Sequence, residues 1–158
     1  MPELRHVLAA GLLASLLSGC GLWFGAGEGE VSRALDLALH ERGSERVTLA
    51  ELTRFPWDEL LLFAPYTPRA SVCQALALSR ARCALVARGE SGSDGEMLMV
   101  FREAGQVVHS EMHLRAHGDF LPLPDAPLTP ATAVFDVVRD GDGVDGRPWL
   151  RLRLKGGT

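Results

Sequence analysis

The chain has 158 residues, 47% of them hydrophobic, and a formal net charge of −4. This mild negative charge and the lack of a long basic run give no basis for nucleic-acid binding. Residues 20–158 suffice for one domain with a real core but not for two. The sequence contains no G-x-S-x-G, no H-E-x-x-H, no phosphate loop and no nucleotide fingerprint, so no familiar catalytic constellation stands out.

A short start containing Arg5 leads into an apolar run, Val7 to Leu17, then into the small residues Ser18 and Gly19 and a cysteine, Cys20. A charged start, an apolar middle and a small-residue break make a secretory signal. The run is about half the roughly 20 residues that a spanning helix needs, so it reads as a removable address. Leu17-Ser18-Gly19-Cys20 resembles the lipobox of bacterial lipoproteins. That resemblance implies cleavage before Cys20, a diacylglycerol on its thiol and acylation, palmitate included, of the new N-terminus. One acyl chain holds a protein only marginally, whereas two or more anchor it stably. Gly21 stands where an aspartate would retain such a protein in the inner membrane. The implied location is therefore the outer membrane, with the domain facing the periplasm. The expected partition is a signal peptide over 1–19, a glycine-rich flexible tether over 20–29 and a single α+β domain over 30–158.

Val31, Leu35, Ala38 and Leu39 recur at helical spacing, with Glu30 near the start and Gly43 past the end, which predicts the first helix. Val47 to Thr53 suits a strand. Glu59 to Ala64 contains Leu60-Leu61-Leu62-Phe63, apolar on both faces as in a strand covered on both sides. Thr67-Pro68 opens a second helix to about Leu78, and Cys83 to Ala87 is expected as a short strand. Met97 to Glu103 and Val107 to Leu114 form a hairpin around Ala104-Gly105. Residues 115–130 read as a proline-rich loop, and Ala131 to Arg139 as a strand. Pro148 to Leu154 alternates cleanly, with Leu150, Leu152 and Leu154 inward and Arg151 and Arg153 outward. The resulting fold class is α+β: an antiparallel curved sheet of about five strands with two helices on one face.

Cys73 and Cys83 form an even pair which, in an oxidising envelope compartment, reads as a disulfide; two buried free thiols and a metal site are the alternatives, the latter without a C-x-x-C spacing or a nearby histidine to support it. Residues 57–67 follow the pattern W-D-x-x-x-x-F-x-P-Y-T, which resembles a segment of small uncharacterised bacterial lipoproteins and brings no activity with it. Trp57, Asp58 and Tyr66 are its candidate binding residues. Either they lock a core strand between Pro56 and Pro65, with Asp58 accepting from neighbouring amides or the Tyr66 hydroxyl, or they form a partner surface.

His109, His113 and His117 are spaced by four. On a strand that spacing puts neighbours roughly 13 Å apart, too far for one zinc, so a solvated polar face is expected and no metal. Asp140-Gly-Asp142-Gly-Val-Asp145-Gly146 lacks the ligand pattern of an EF-hand and reads as a hairpin turn. Arg147, Arg151, Arg153 and Lys155 form a basic stripe that protects a sheet edge or meets lipid A phosphates or an acidic partner. Met97, Met99 and Met112 read as core filler rather than copper ligands. The reading is a lipid-anchored, non-catalytic lipoprotein that needs no cofactor, partnered by the membrane and by an envelope protein or component. The alternative is a small envelope hydrolase or ligand-binding enzyme using Asp58, His109 or His113.

Overall fold

The computed structural model describes residues 29–86 and 90–156. The signal segment, Cys20 and the tether up to residue 28 lie outside the described residues. Helix α1 (Glu30–Asp36) passes into a π-helical turn, Leu37–Glu41, which ends where Gly43 adopts φ +61. Then come β1 (Arg46–Thr48), a single helical turn α2 (Leu49–Leu52) and β2 (Glu59–Phe63). Helices α3 (Arg69–Ala75) and α4 (Arg80–Val86) follow, then β3 (Glu96–Glu103), β4 (Gln106–Leu114) and a 3₁₀ turn, Arg115–His117. The chain closes with β5 (Val134–Asp142) and β6 (Pro148–Leu154).

The strands make two antiparallel three-stranded sheets, β2-β3-β4 and β1-β5-β6, where the sequence led us to expect one curved sheet of about five. The proline-rich segment accounts for the difference by running between them. Leu128 exchanges two backbone hydrogen bonds with Leu60 on the free edge of β2, and Asp119 does the same for the free edge of β6 through Leu150 and Leu152. Both edges are thus capped by short bridges, and the strands never join into one continuous ladder.

β3 explains the layering. Met97, Leu98, Met99, Val100 and Phe101 are all buried, the mark of a strand covered on both faces. Met97, Met99 and Phe101 join Leu60, Val31, Leu35, Leu39, Phe120, Phe135 and Leu152 in the main core, which gathers α1 and both sheets. Leu98 and Val100 face the other way, onto Val72, Leu76 and Cys83 of the α3–α4 pair. Helices therefore pack on opposite faces of β2-β3-β4, not on a single face.

Two predicted strands are partly or wholly helical. The Val47–Thr53 segment gives only β1 before turning into α2. Of the strand expected over Cys83–Ala87, the described residues 83–86 are instead part of α4, whose Arg-Ala-Arg-Cys-Ala-Leu run favours helix; Ala87 lies outside the described residues. Ser79 starts it, taking the Cys83 N–H on its carbonyl at 2.8 Å and the Arg82 N–H on its hydroxyl at 3.4 Å. Cys73 and Cys83 are joined as a disulfide with Cα atoms 5.5 Å apart. The bond staples α3 to α4, and closing a loop of this length stabilises by about 2.7 kcal/mol in the chain-entropy view.

Candidate functional site

The histidines of β4 do not form a solvated face. A register shift lies between Phe101 and Arg102, where Phe101 pairs with His109 but Arg102 pairs with Val107. This β-bulge puts one extra residue, Val108, on β4 and changes which side chains share a face. Val107 goes with the α3–α4 side, while His109, Glu111 and His113 turn to the main-core side, opposite Phe101, Met99 and Met97. There they meet the beginning of α1.

Helix α1 begins at Gly29 without a side-chain cap of its own. Glu111 supplies one from about 80 residues away: its Oε2 accepts the Val31 N–H at 3.2 Å and its Oε1 the Ser32 N–H at 2.8 Å. A carboxylate at this end answers both the unpaired amides and the positive end of the helix dipole. A Cβ on Gly29 would overlap the Glu111 carboxylate, so the close approach requires glycine. His109 completes the cap, with Nε2 2.7 Å from Glu111 Oε2 and its ring stacked on Phe55 at 4.6 Å.

One turn deeper, Ser32 and His113 are each 0% exposed. His113 Nε2 lies 2.7 Å from the Gly118 carbonyl and Nδ1 lies 3.0 Å from Ser32 Oγ. A carbonyl only accepts, so Nε2 carries the proton and the neutral ring takes the Ser32 O–H on Nδ1. Ser32 Oγ in turn accepts the Leu114 N–H at 3.1 Å and lies 3.2 Å from His117 Nδ1. Burial pushes the His113 pKa down to about 4; the Gly118 carbonyl and Glu111 oppose that shift, and His117 adds to it. The expected 13 Å gap fails for His113 and His117 because the 3₁₀ turn folds His117 back onto the same hydroxyl.

Further out, Asp36 Oδ1 lies 3.2 Å from Arg147 Nη1, 3.8 Å from His117 Nε2 and 3.9 Å from His40 Nε2. His40 Nε2 also donates to the Ala116 carbonyl at 3.0 Å. Beside this group, Arg115 grips the buried Asp119 carboxylate with two bonds of 2.8 and 2.9 Å, and Trp149 Nε1 donates to the same carboxylate at 3.2 Å. The constellation fastens α1 to β4, to the 3₁₀ turn and to β6.

The candidate binding residues Trp57, Asp58 and Tyr66 are not brought together. Trp57 is 8% exposed, edge-on to Phe101 at 5.3 Å, and its Nε1 donates to Thr53 Oγ1 at 2.9 Å, so it belongs to the core. Asp58 accepts neither from amides beside Trp57 nor from Tyr66. Its Oδ2 takes the Ala104 N–H at 2.7 Å and secures the β3–β4 turn, where Ala104 has φ +48. Tyr66, at the other end of β2, is 56% exposed and donates its hydroxyl to Asp94 at 2.6 Å. That contact raises the phenol pKa and lowers the Asp94 pKa. Asp58 and His113 lie at opposite ends of the β3–β4 hairpin, about 20 Å apart at 3.3 Å per residue, and cannot share a substrate.

The turn acids each meet an arginine: Asp140 pairs with Arg151, Asp142 with Arg139 and Asp145 with Arg147. This is a hairpin turn, and it neutralises much of the basic stripe. Among the described residues no group of three or more His, Cys, Asp or Glu side chains is placed to hold a metal, and no helix is long and apolar enough to cross a membrane. An open cleft of about 430 Å³ between α1 and α2 is lined by Glu30, Arg33, Leu37, Arg42, Glu51 and Arg54, none of them a residue singled out from the sequence. Sequence reasoning missed Ser32 and Glu111. The available signal was a serine lying among Val31, Leu35 and Leu39 on the inward stripe of α1. Compared with protein families, curated proteins and solved structures, the chain has no match.

Proposed function

We propose that this chain is a lipid-anchored, non-catalytic envelope protein that binds a protein or another envelope component. It is held through Cys20 in the outer membrane and faces the periplasm. The observation that carries the reading is the Leu17-Ser18-Gly19-Cys20 tetrapeptide after its apolar run. The Cys73–Cys83 disulfide suits the oxidising compartment this location implies. Labelling cells with radioactive palmitate tests the anchor: the wild-type protein takes up label and Cys20→Ala does not. Equal labelling of both would refute the anchor and the location together.

A hydrolase reading draws on the contact between Ser32 and His113. We read the pair as a fastening. In serine hydrolases the histidine meets the nucleophile through Nε2 and an acid through Nδ1. Here serine sits on Nδ1, a carbonyl takes Nε2, and both side chains are sealed from solvent. A fluorophosphonate probe that marks the wild type but not Ser32→Ala would reverse this reading.

A further inference from the structure

Between Glu59 and Glu90 the sequence carries Arg69, Arg80, Arg82 and Arg88 and no acidic residue, within a chain of net charge −4. Three of these arginines sit on the α3–α4 pair. Several guanidinium groups elsewhere meet carboxylates: Arg46 on Asp136, Arg115 on Asp119, Arg147 on Asp145 and Asp36, Arg151 on Asp140. On the helix pair no such ion pair forms among the described residues. Among the described residues the side chains of Arg69 and Arg80 meet no carboxylate, and Arg82 donates to the neutral amide of Gln106 at 3.0 Å. The acids at the rim are otherwise engaged, Glu90 by the Arg69 backbone N–H and Asp94 by Tyr66.

The same surface is apolar between its charges. The inward side of the pair is fixed on the sheet through Val72, Leu76 and Cys83. Outward, Ala81, Ala84 and Leu85 lie exposed beside Arg80 and Arg82, with Leu85 52% exposed. The disulfide holds the two helices in one rigid plate. Arginines interleaved with exposed apolar groups make an interfacial surface. The apolar side chains enter the acyl boundary while each guanidinium takes phosphate oxygens through paired hydrogen bonds.

We propose that the outer face of α3–α4 docks on anionic phospholipid headgroups of the membrane that carries the chain. The proposal deepens the reading of an anchored envelope protein and rests on it for the proximity of that membrane. The nine residues from Gly21 to Gly29 can span at most about 30 Å. That exceeds the two layers, each about 10 Å, that separate α1 from the helix pair. A lipid surface suits this face better than nucleic acid or an acidic protein, because Leu85 and its alanine neighbours need an apolar medium.

The test uses the full chain with brominated-acyl vesicles in excess, comparing the quenching of Leu85→Trp with the wild-type background. Vesicles containing phosphatidylglycerol should quench the added fluorophore, whereas pure phosphatidylcholine should not, and high salt should abolish the difference. Adding Arg69→Gln, Arg80→Gln and Arg82→Gln, with circular dichroism confirming the fold, should cost about fivefold in surface affinity per arginine. Absence of quenching by the phosphatidylglycerol vesicles would overturn the proposal. Equal quenching by both lipids, or a triple variant quenched like its parent, would do the same. Tighter arginine-dependent binding to polyglutamate than to phosphatidylglycerol would overturn it in favour of an acidic protein partner. The anchor is read separately by flotation in high salt: a chain that floats without quenching keeps its anchor and loses the docking face. A chain that is quenched at low salt but does not float keeps the docking face and loses the anchor.

Discussion

Acidification should weaken this fold through one side chain, His113. The ring is fully buried, with one nitrogen on the Gly118 carbonyl and the other receiving the Ser32 hydroxyl. A proton on Nδ1 would face a hydroxyl that must turn away, in a site closed to water. The pKa is accordingly pushed from its ordinary 6.5 down to about 4. Between pH 6.5 and 4 the unfolded chain binds a proton that the native state refuses, so stability falls as pH falls through that window and changes no further below it. At about 1.4 kcal/mol per pH unit, the loss between pH 7 and pH 5 is roughly 2 kcal/mol, approaching roughly 3 kcal/mol near pH 4. That is a large share of the 5–15 kcal/mol typical of a whole domain. Urea unfolding followed by tryptophan fluorescence at pH 7.5, 6 and 5 measures it. His113→Gln removes the titrating group, so its stability should start lower at pH 7.5 and fall less on acidification, the carboxylate contributions cancelling between the two proteins. Parallel pH profiles for wild type and variant would refute the reasoning.

Two further outcomes follow from named contacts. Gly29→Ala should displace the Glu111 carboxylate and cost about 1 kcal/mol or more of stability, as losing a helix cap does. The same change should cost little in a Glu111→Ala background, and full additivity in a thermal double-mutant cycle would disprove the cap. Trp57→Ala empties a core position against Phe101 and should cost about 3–5 kcal/mol; an unchanged melting temperature would return Trp57 to the candidate binding surface.

Local pattern carried much of the secondary structure. The hairpin around Ala104-Gly105 is legible because strong strand formers flank a turn pair, and the β3 and β4 ranges follow it closely. The Pro148–Leu154 strand is legible from its strict alternation, which survives in the structure with Leu152 buried and Arg153 exposed. The even cysteine pair, with the oxidising compartment expected for it, pointed to a disulfide but not to its setting, since Cys83 sits in a helix started by Ser79. The Trp57–Tyr66 segment was conspicuous in sequence because its aromatics and prolines cluster, yet those residues close three separate local contacts.

What the sequence determined by itself, then, is whatever depends on neighbours in the chain: periodicity, turns, caps and charge runs. The balance of arginine over acid between residues 59 and 90 belongs here too. Tertiary structure alone decided which side of β4 is buried. A single extra residue at Val108 reverses the parity of the strand on either side of it, and no alternation in 107–114 announces a bulge. It also decided that Glu111, Ser32, His113 and His117 meet, because the unpaired amides of α1 seek an acceptor anywhere in space and find one about 80 residues along the chain. The division into two sheets has the same origin: strand edges are closed by whatever backbone reaches them, and here Leu128 and Asp119 do.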